Sequence, residues 1–250
     1  MPRTQIIIED HVVPQLLTSA IEAYEIQHKA HLNGKSQKGL ETYGLLWGYS
    51  LPARGEDVPT RLVAVLATVE TSALRHEEWV DPDTESLLMK RDFFREYWPQ
   101  LELIGTFHSH PYDTLAKVNE AKGWRGSSID TDGNGDFAHW PAIHEGVCSD
   151  MTKLAHLVIA VTALSRKGTA WPERLPGGES PTGYVLSAGA RKLWIKGYCT
   201  TRIEEPLEDA GDDSDELDCE SVHVTYEVEE NIFLQIPSLQ QRFADEYLRK

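Results

Sequence analysis

The stretch Leu103-Ile-Gly-Thr-Phe-His-Ser-His-Pro111 decides how the rest of the chain is interpreted. Its apolar, β-branched and aromatic residues predict a buried strand, and Pro111 ends the run. Because side chains at positions i and i+2 of a strand point to the same face, His108 and His110 should project together. Two imidazoles on one face suit a small divalent metal, most often zinc. A His-x-His pair alone is weak evidence, since histidines also occur in cores and on surfaces.

The composition is that of an ordinary globular protein with a strong acidic excess. A chain of 250 residues is long enough for one large domain with a substantial core. The formal net charge of −16 argues against binding to nucleic-acid phosphates or anionic membranes, and it favours a basic partner. We recognise neither a signal peptide nor an apolar run of about 20 residues that could span a bilayer. The sequence therefore predicts a cytoplasmic protein and leaves its oligomeric state open.

A catalytic zinc site needs more ligands than the two histidines. Such sites usually have three protein ligands and one open position for water. The three cysteines of the chain are too few and too scattered for a disulfide framework or a Cys-rich zinc site. The candidates for the third ligand are Asp113, Asp130, Asp132, Asp136 and, as poorer choices, His139 and His144. A base that takes a proton from the bound water must come from elsewhere in the fold.

Hydrophobic periodicity and turn residues predict a mixture of strands and helices. The predicted strands are 5–8, 41–50, 61–70, 103–108, 153–164, 182–188, 192–203 and 222–228, and the predicted helices are 12–32, 83–98 and 237–248. The strand at 153–164 is the most apolar and is expected at the centre of the sheet. Residues 111–150 show little apolar periodicity, which predicts a long loop next to the histidine pair.

The last part of the chain is expected to be an appendage to one main domain. The segment Glu204–Glu220 is acidic and nearly free of large apolar residues, which is typical of a solvated linker. The predicted organisation is therefore a domain at 1–203, an acidic linker at 204–220 and a C-terminal strand and helix extension at 221–250.

Three separated pieces of the sequence together resemble a known family. His108-Ser-His-Pro111, followed by Ser127-Ser-Ile-Asp130, resembles the His-x-His-Pro…Ser-x-x-Asp signature of the JAMM (MPN+) zinc metalloproteases. Glu41-Thr-Tyr-Gly-Leu-Leu-Trp-Gly48 resembles the strand on which this family carries a glutamate. The order of the predicted elements agrees over roughly residues 5–203, and the chain is most similar to prokaryotic-type, deubiquitinase-like members.

The resemblance implies a fold and a set of residue roles. The fold is α/β, of the cytidine-deaminase-like MPN type, with helices flanking a mixed central sheet. The resemblance assigns zinc to His108, His110 and Asp130. It makes Glu41 the general base that accepts a proton from zinc-bound water and returns it to the leaving amine. It makes Ser127 a donor that stabilises the oxyanion.

The spacing within this signature leaves the third ligand open. Sixteen residues, 111–126, separate the second histidine from the serine, which is longer than usual in the family. An insertion is tolerated in a surface loop, where it could act as a lid or as an autoinhibitory loop. Asp132 is therefore an alternative to Asp130, and Asp136 is a weaker one.

The resemblance also implies a substrate class. JAMM enzymes hydrolyse isopeptide or peptide bonds at the C-terminal tail of ubiquitin or a ubiquitin-like protein. The implied partners are such a protein or its conjugates, with proteins that resemble ubiquitin-activating or ubiquitin-conjugating enzymes. Trp124 and Trp140 flank the predicted metal loop; they could bind the substrate tail or equally fold the loop onto the core. Two other functions fit the sequence: a non-catalytic MPN-type scaffold, and a zinc hydrolase of small peptides or amides.

Overall fold

The structure, a computed structural model, describes residues 4–29, 36–55, 57–168, 170–206 and 222–240. The helices in these ranges are α1 (Val13–Glu25), α2 (Thr84–Tyr97), α3 (Leu115–Ala121) and α4 (Asp136–Cys148). The strands are β1 (Thr4–Ile8), β2 (His28–Lys29), β3 (Ser36–Gln37), β4 (Tyr43–Leu51), β5 (Thr60–Val69), β6 (Leu74–Arg75), β7 (Val80–Asp81), β8 (Glu102–Tyr112), β9 (Lys153–Ala163), β10 (Ala170–Arg174), β11 (Gly183–Ala188), β12 (Arg191–Pro206), β13 (Val222–Glu229) and β14 (Ile232–Gln235). Two 3₁₀ segments cover Gly177–Thr182 and Pro237–Leu239.

Ten of the strands form one mixed sheet. Their order is β10-β11-β12-β9-β8-β4-β5-β1-β14, and β13 pairs with the far part of β12. The pairs β8–β9, β1–β5 and β1–β14 are parallel, and the remaining pairs of this sheet are antiparallel. The predicted α/β class with a mixed central sheet is confirmed. Within the described ranges, no helix is both long and apolar enough to cross a membrane.

The centre of the sheet is formed by β8 and β9, as the apolar composition of β9 predicts. Leu154 to Thr162 are all buried, because β9 lies between β8 and β12 and helices cover both of its faces. The two central strands approach closely at Gly105. A Cβ atom there would lie 2.5 Å from the Ala155 carbonyl oxygen, so only glycine fits without displacing β9.

Helices cover the sheet on two sides. Helix α1 packs Leu16 and Ala20 into an apolar cluster with residues of β1, β5 and β9. Helices α2 and α4 contribute Leu87 and Val147 to a second cluster around the β4 residues Tyr43, Leu45 and Trp47. Asp83 begins α2 by accepting hydrogen bonds from the N–H groups of Glu85 and Ser86. His108 lies on the side of the sheet that α4 covers, with its ring 6.2 Å from that of Trp140.

The predicted C-terminal extension belongs to the main sheet. Strand β14 pairs in parallel with β1, and its residues Ile232 and Leu234 are buried. Strand β13 pairs with residues 199–206 of β12, so the start of the predicted linker is strand. Residues 207–220 of that linker lie outside the described residues. The predicted helix at 237–248 begins as a 3₁₀ segment, and its part beyond residue 240 is likewise outside them.

The prediction of a long loop at 111–150 is wrong for much of that segment. Helices α3 and α4 occupy about half of it. Helix α4 contains Pro141 and Gly146, which have poor helix propensity and make the segment look unlike a helix in the sequence. Tertiary packing supports this helix, since its Trp140 and Val147 are almost completely buried.

Candidate metal centre

The two histidines lie where β8 passes from the core to the surface. His108 has 3% of its side chain exposed and His110 has 11%. Their Nε2 atoms are 3.0 Å apart, so both rings project to the same side, as the i, i+2 spacing predicts. The strand is hydrogen-bonded to β4 and β9, which fixes the positions of both side chains.

Asp136, the first residue of α4, brings a carboxylate to both imidazoles. Its Oδ1 atom lies 3.0 Å from Nε2 of His108, and its Oδ2 atom lies 3.4 Å from Nε2 of His110. The potential ligand atoms of these three residues all lie within 4.8 Å of one another. The group His108, His110 and Asp136 is therefore positioned to hold a metal ion.

The geometry and protonation of this group fit a cation. Ligand atoms about 2 Å from a tetrahedral zinc are about 3.3 Å from each other, close to the spacings above. Nδ1 of His110 lies 3.0 Å from the Gly123 carbonyl oxygen, which can only accept a hydrogen bond. Nδ1 therefore carries a hydrogen, and Nε2 is the ring nitrogen that faces His108 and Asp136. Positive charge at this point, carried by a proton or a metal ion, balances the negative charge of the Asp136 carboxylate.

The predicted third ligand, Asp130, is not a member of this group. Its carboxylate accepts the backbone N–H groups of Asn134 and Asp132, and these hydrogen bonds hold the pKa of the Asp130 carboxyl below its usual value. Asp130 thus stabilises a surface turn, the other role that an Asp-Gly-rich run can have. The assignment is corrected to Asp136, which the sequence spacing ranked as the weaker alternative. Asp132 is also outside the group.

Asp136 occupies its place because of the way α4 begins. The preceding residue, Gly135, has a φ of 124°, and a Cβ atom there would lie 2.4 Å from the Ser128 carbonyl oxygen. Ser127 accepts the N–H of Asp136 on its hydroxyl at 2.8 Å and donates its own N–H to Oδ2 of Asp136 at 2.7 Å. Ser127 lines the cleft and, in addition, fixes the orientation of the carboxylate, a role that the sequence motif did not predict.

Glu41 lies two residues before the start of β4, in the wall of the same cleft. It is 6% exposed, and its N–H donates to the His76 carbonyl oxygen at 2.8 Å. The next residue, Thr42, exchanges hydrogen bonds with Ser109, which lies between the two histidines. The start of β4 and the end of β8 are thereby tied together, and Glu41 is held beside the metal group.

The buried position of Glu41 shifts the pKa of its carboxyl group upward. Burial raises the pKa of this carboxyl to about 7, although the charges of His110 and His108 act in the opposite direction. Asp136 contributes a smaller increase through its negative charge. Glu41 can therefore exchange a proton near neutral pH.

The pKa values of His110 and Asp136 are shifted in opposite directions. Burial alone would lower the pKa of His110, but the hydrogen bond to Asp136 and the charges of Glu41 and Asp136 raise it to about 9. Burial would raise the pKa of Asp136, but His108 and His110 hold it far below its usual range. Positive charge between these residues is thus favoured.

Trp124 and Trp140 are both buried in the core, at 8% and 0% exposure. Trp124 stacks on Trp194, and Trp140 stacks on His156. Neither tryptophan lines the cleft, so the expected substrate-binding role is corrected in favour of folding the loop onto the core. The tryptophan in the cleft wall is Trp79, which is 41% exposed.

The cleft around the metal group is large and open, with a volume of about 1260 Å³. One wall is the segment that contains β7, where Glu77, Glu78 and Asp81 accompany Trp79. This segment lies between the predicted strand 61–70 and the predicted helix 83–98, and the sequence pattern did not connect it with the site. A tryptophan beside three acids in a non-periodic stretch was the available signal.

Neither a family model nor a curated protein matches the chain. The resemblance to the JAMM metalloproteases therefore rests on the motif residues quoted above.

Proposed function

We propose that the protein is a zinc-dependent hydrolase of the JAMM type, which cleaves peptide or isopeptide bonds at the C-terminal tail of a ubiquitin-like protein. One observation carries the proposal: the buried carboxyl group of Glu41 shares a cleft with the group His108, His110 and Asp136. A purely structural zinc site usually has four protein ligands and needs no buried acid beside it. A hydrolytic site needs both an open ligand position and a nearby base.

The ligand set is compatible with zinc. Two imidazole nitrogens and one carboxylate oxygen are ligands that catalytic zinc sites use. When bound, the zinc ion supplies the Lewis acidity that activates water and polarises a carbonyl group. The hydrogen bond from His110 to the Gly123 carbonyl and those between Ser127 and Asp136 orient two of the three ligands.

Glu41 is the proposed general base and acid. Its pKa of about 7 suits a group that first accepts a proton from the attacking water and then donates it to the leaving amine. Its burial keeps bulk water away from this exchange. Ser127 can donate its hydroxyl hydrogen to the developing oxyanion, since the oxygen of that hydroxyl accepts the N–H of Asp136.

The shape and charge of the cleft favour an extended, basic polypeptide as substrate. Strand β7 pairs only with β6 among the described residues, so its other edge can add a substrate strand. Glu77, Glu78 and Asp81 in the same wall attract positive charge, in keeping with the net charge of −16. A narrow, glycine-rich tail next to a basic surface matches this arrangement.

The proposal is tested with a panel of substrates and with removal of the metal. We expect the zinc-loaded protein to cleave a ubiquitin-like protein fused through its C-terminal tail to a reporter, and to be inactive on a short unrelated peptide. Chelation should abolish cleavage, and added zinc should restore it. Binding of the fusion without cleavage would favour a scaffold, and equal cleavage of the short peptide would favour a general peptide hydrolase.

A further inference from the structure

Residues 123–127, here called the strap, contact two of the three members of the metal group. At one end, the Gly123 carbonyl oxygen accepts the hydrogen bond from Nδ1 of His110 at 3.0 Å. At the other end, Ser127 makes its two hydrogen bonds to Asp136. A displacement of the strap would therefore move an imidazole and a carboxylate together.

The middle of the strap is held by one carboxylate, that of Glu179. Nε1 of Trp124 donates to Glu179 at 3.1 Å, and Nε of Arg125 donates to it at 2.9 Å. The N–H of Gly126 donates to the hydroxyl oxygen of Tyr198 at 2.9 Å. Each of the five residues of the strap thus makes a hydrogen bond, either to His110 or Asp136 or to Glu179 or Tyr198.

Glu179 is itself fixed in place. Nζ of Lys196, whose side chain is 3% exposed, lies 2.5 Å from the carboxylate, and the Glu179 side chain is 18% exposed. Burial would raise the pKa of Glu179, but hydrogen bonds from Lys196, Trp124 and Arg125 lower it to about 2. The carboxylate is therefore charged at neutral pH, and its removal would leave the Lys196 ammonium without its nearest partner.

We propose that Glu179 is a positioning residue of the metal centre and that it acts through the strap. The inference rests on the proposed function only in that His108, His110 and Asp136 bind a metal. Metal ligands must be held within about 0.5 Å of their productive positions, and groups that orient ligands change metal affinity by about 10- to 100-fold. Residues 123–126, the end of the insertion at 111–126, are on this account a support for the ligands and not a lid.

The test measures metal binding directly, by competition with a chromophoric zinc chelator and by the absorption spectrum of the cobalt-substituted protein. The variants are Glu179→Gln and Trp124→Phe, which removes one N–H and keeps an aromatic ring. The matched control is Glu229→Gln. Glu229 is also a partly buried carboxylate, 17% exposed, and it pairs with Lys153 at 2.9 Å, away from the strap.

We expect Glu179→Gln to weaken zinc binding about tenfold and to change the cobalt spectrum. Trp124→Phe should act in the same direction and more weakly. Glu229→Gln should lose comparable thermal stability while keeping the wild-type zinc affinity and cobalt spectrum. That pattern would separate ligand positioning from a general loss of stability.

Wild-type zinc affinity and an unchanged cobalt spectrum in Glu179→Gln would overturn the inference, as would an equal loss of affinity in Glu229→Gln. If Glu179→Gln does not fold, unchanged binding in Trp124→Phe overturns it instead. Failure of the proposed function has a different signature, since zinc-loaded wild type would then bind metal normally and cleave no ubiquitin-like fusion.

Discussion

The metal group is built from two regions that are held in different ways, the end of β8 and the start of α4. His108 and His110 lie on a central strand whose backbone is paired with β4 on one side and β9 on the other. Asp136 begins a helix that has no side-chain cap at its N-cap residue, and its two hydrogen bonds with Ser127 hold it in place.

This difference has a consequence for substitutions. Changes near β8 should act on the stability of the whole sheet, because the histidines share its core. Changes near the start of α4 should act on metal binding and leave the sheet intact, because Asp136 lies outside the sheet and is held by its hydrogen bonds with Ser127.

The largest effect on zinc binding is expected for the carboxylate of Asp136, at the start of α4. Asp136→Asn should weaken zinc binding by more than about a hundredfold, because it removes a charged ligand and not merely a group that orients one. Asp130→Asn is the matched control and should bind zinc like wild type, since Asp130 lies in a surface turn. Competition with a zinc chelator measures the zinc affinity of both variants. Strong loss of binding in Asp130→Asn alone would restore the original assignment.

The next effect concerns the attachment of α4 to the sheet at low pH. His144 of α4 hydrogen-bonds Thr200 of β12 and the Met151 carbonyl, and it is fully buried. Burial lowers the pKa of His144 to about 4, the Met151 hydrogen bond opposes this shift, and the charge of Arg202 adds to it. Unfolding therefore lets this histidine take up a proton below its ordinary pKa of about 6.5.

Neutral His144 contributes to the free energy of unfolding. This contribution is fully present above about pH 6.5 and is lost as the pH falls towards 4. From this residue the free energy of unfolding should drop by up to about 3 kcal/mol over that range. Denaturant unfolding of zinc-free wild type and of His144→Gln at several pH values measures the difference. Identical pH dependence in both proteins would contradict the assignment.

The smallest effects are expected on the free energy of unfolding, when one glycine of β8 and one glycine of α4 are each replaced by alanine. Gly105→Ala should destabilise the protein by about 1–3 kcal/mol, because the new methyl group meets the backbone of β9. Gly146→Ala should stabilise it by up to about 1 kcal/mol, because this position in α4 has open space and alanine favours helix. Chemical denaturation reports both changes. A tolerated alanine at 105 would mean that β8 and β9 are less tightly coupled than their contact indicates.

The strands of the core could be predicted from the sequence because their signal is local. The runs at β4, β5, β8 and β9 are long, apolar and rich in β-branched residues, so their bounds were found within a few residues. Strand β14 was not predicted, since it has four residues and is defined by pairing with β1 more than 220 positions away. Helix α4 was missed because buried aromatic contacts, rather than helix propensity, support it.

The same distinction applies to the site. His108, His110 and Glu41 were found because each lies on or beside a strand whose register determines where its side chain points. The choice between Asp130 and Asp136 depends on where a glycine-rich turn ends and the helix begins, which short motifs do not specify. Asp136 precedes the apolar and aromatic residues of α4, and that position at a helix start was the available signal.

The most direct measurement of the central claim compares zinc content and cleavage rate in wild type, Glu41→Gln and His108→Ala, with one ubiquitin-like fusion as substrate. We expect Glu41→Gln to keep stoichiometric zinc and to cleave at least about a hundredfold more slowly, because only the proton transfer is lost. His108→Ala should lose zinc and cleavage together. Wild-type cleavage by Glu41→Gln would contradict the account, since the buried carboxyl group beside the metal would then have no part in the reaction.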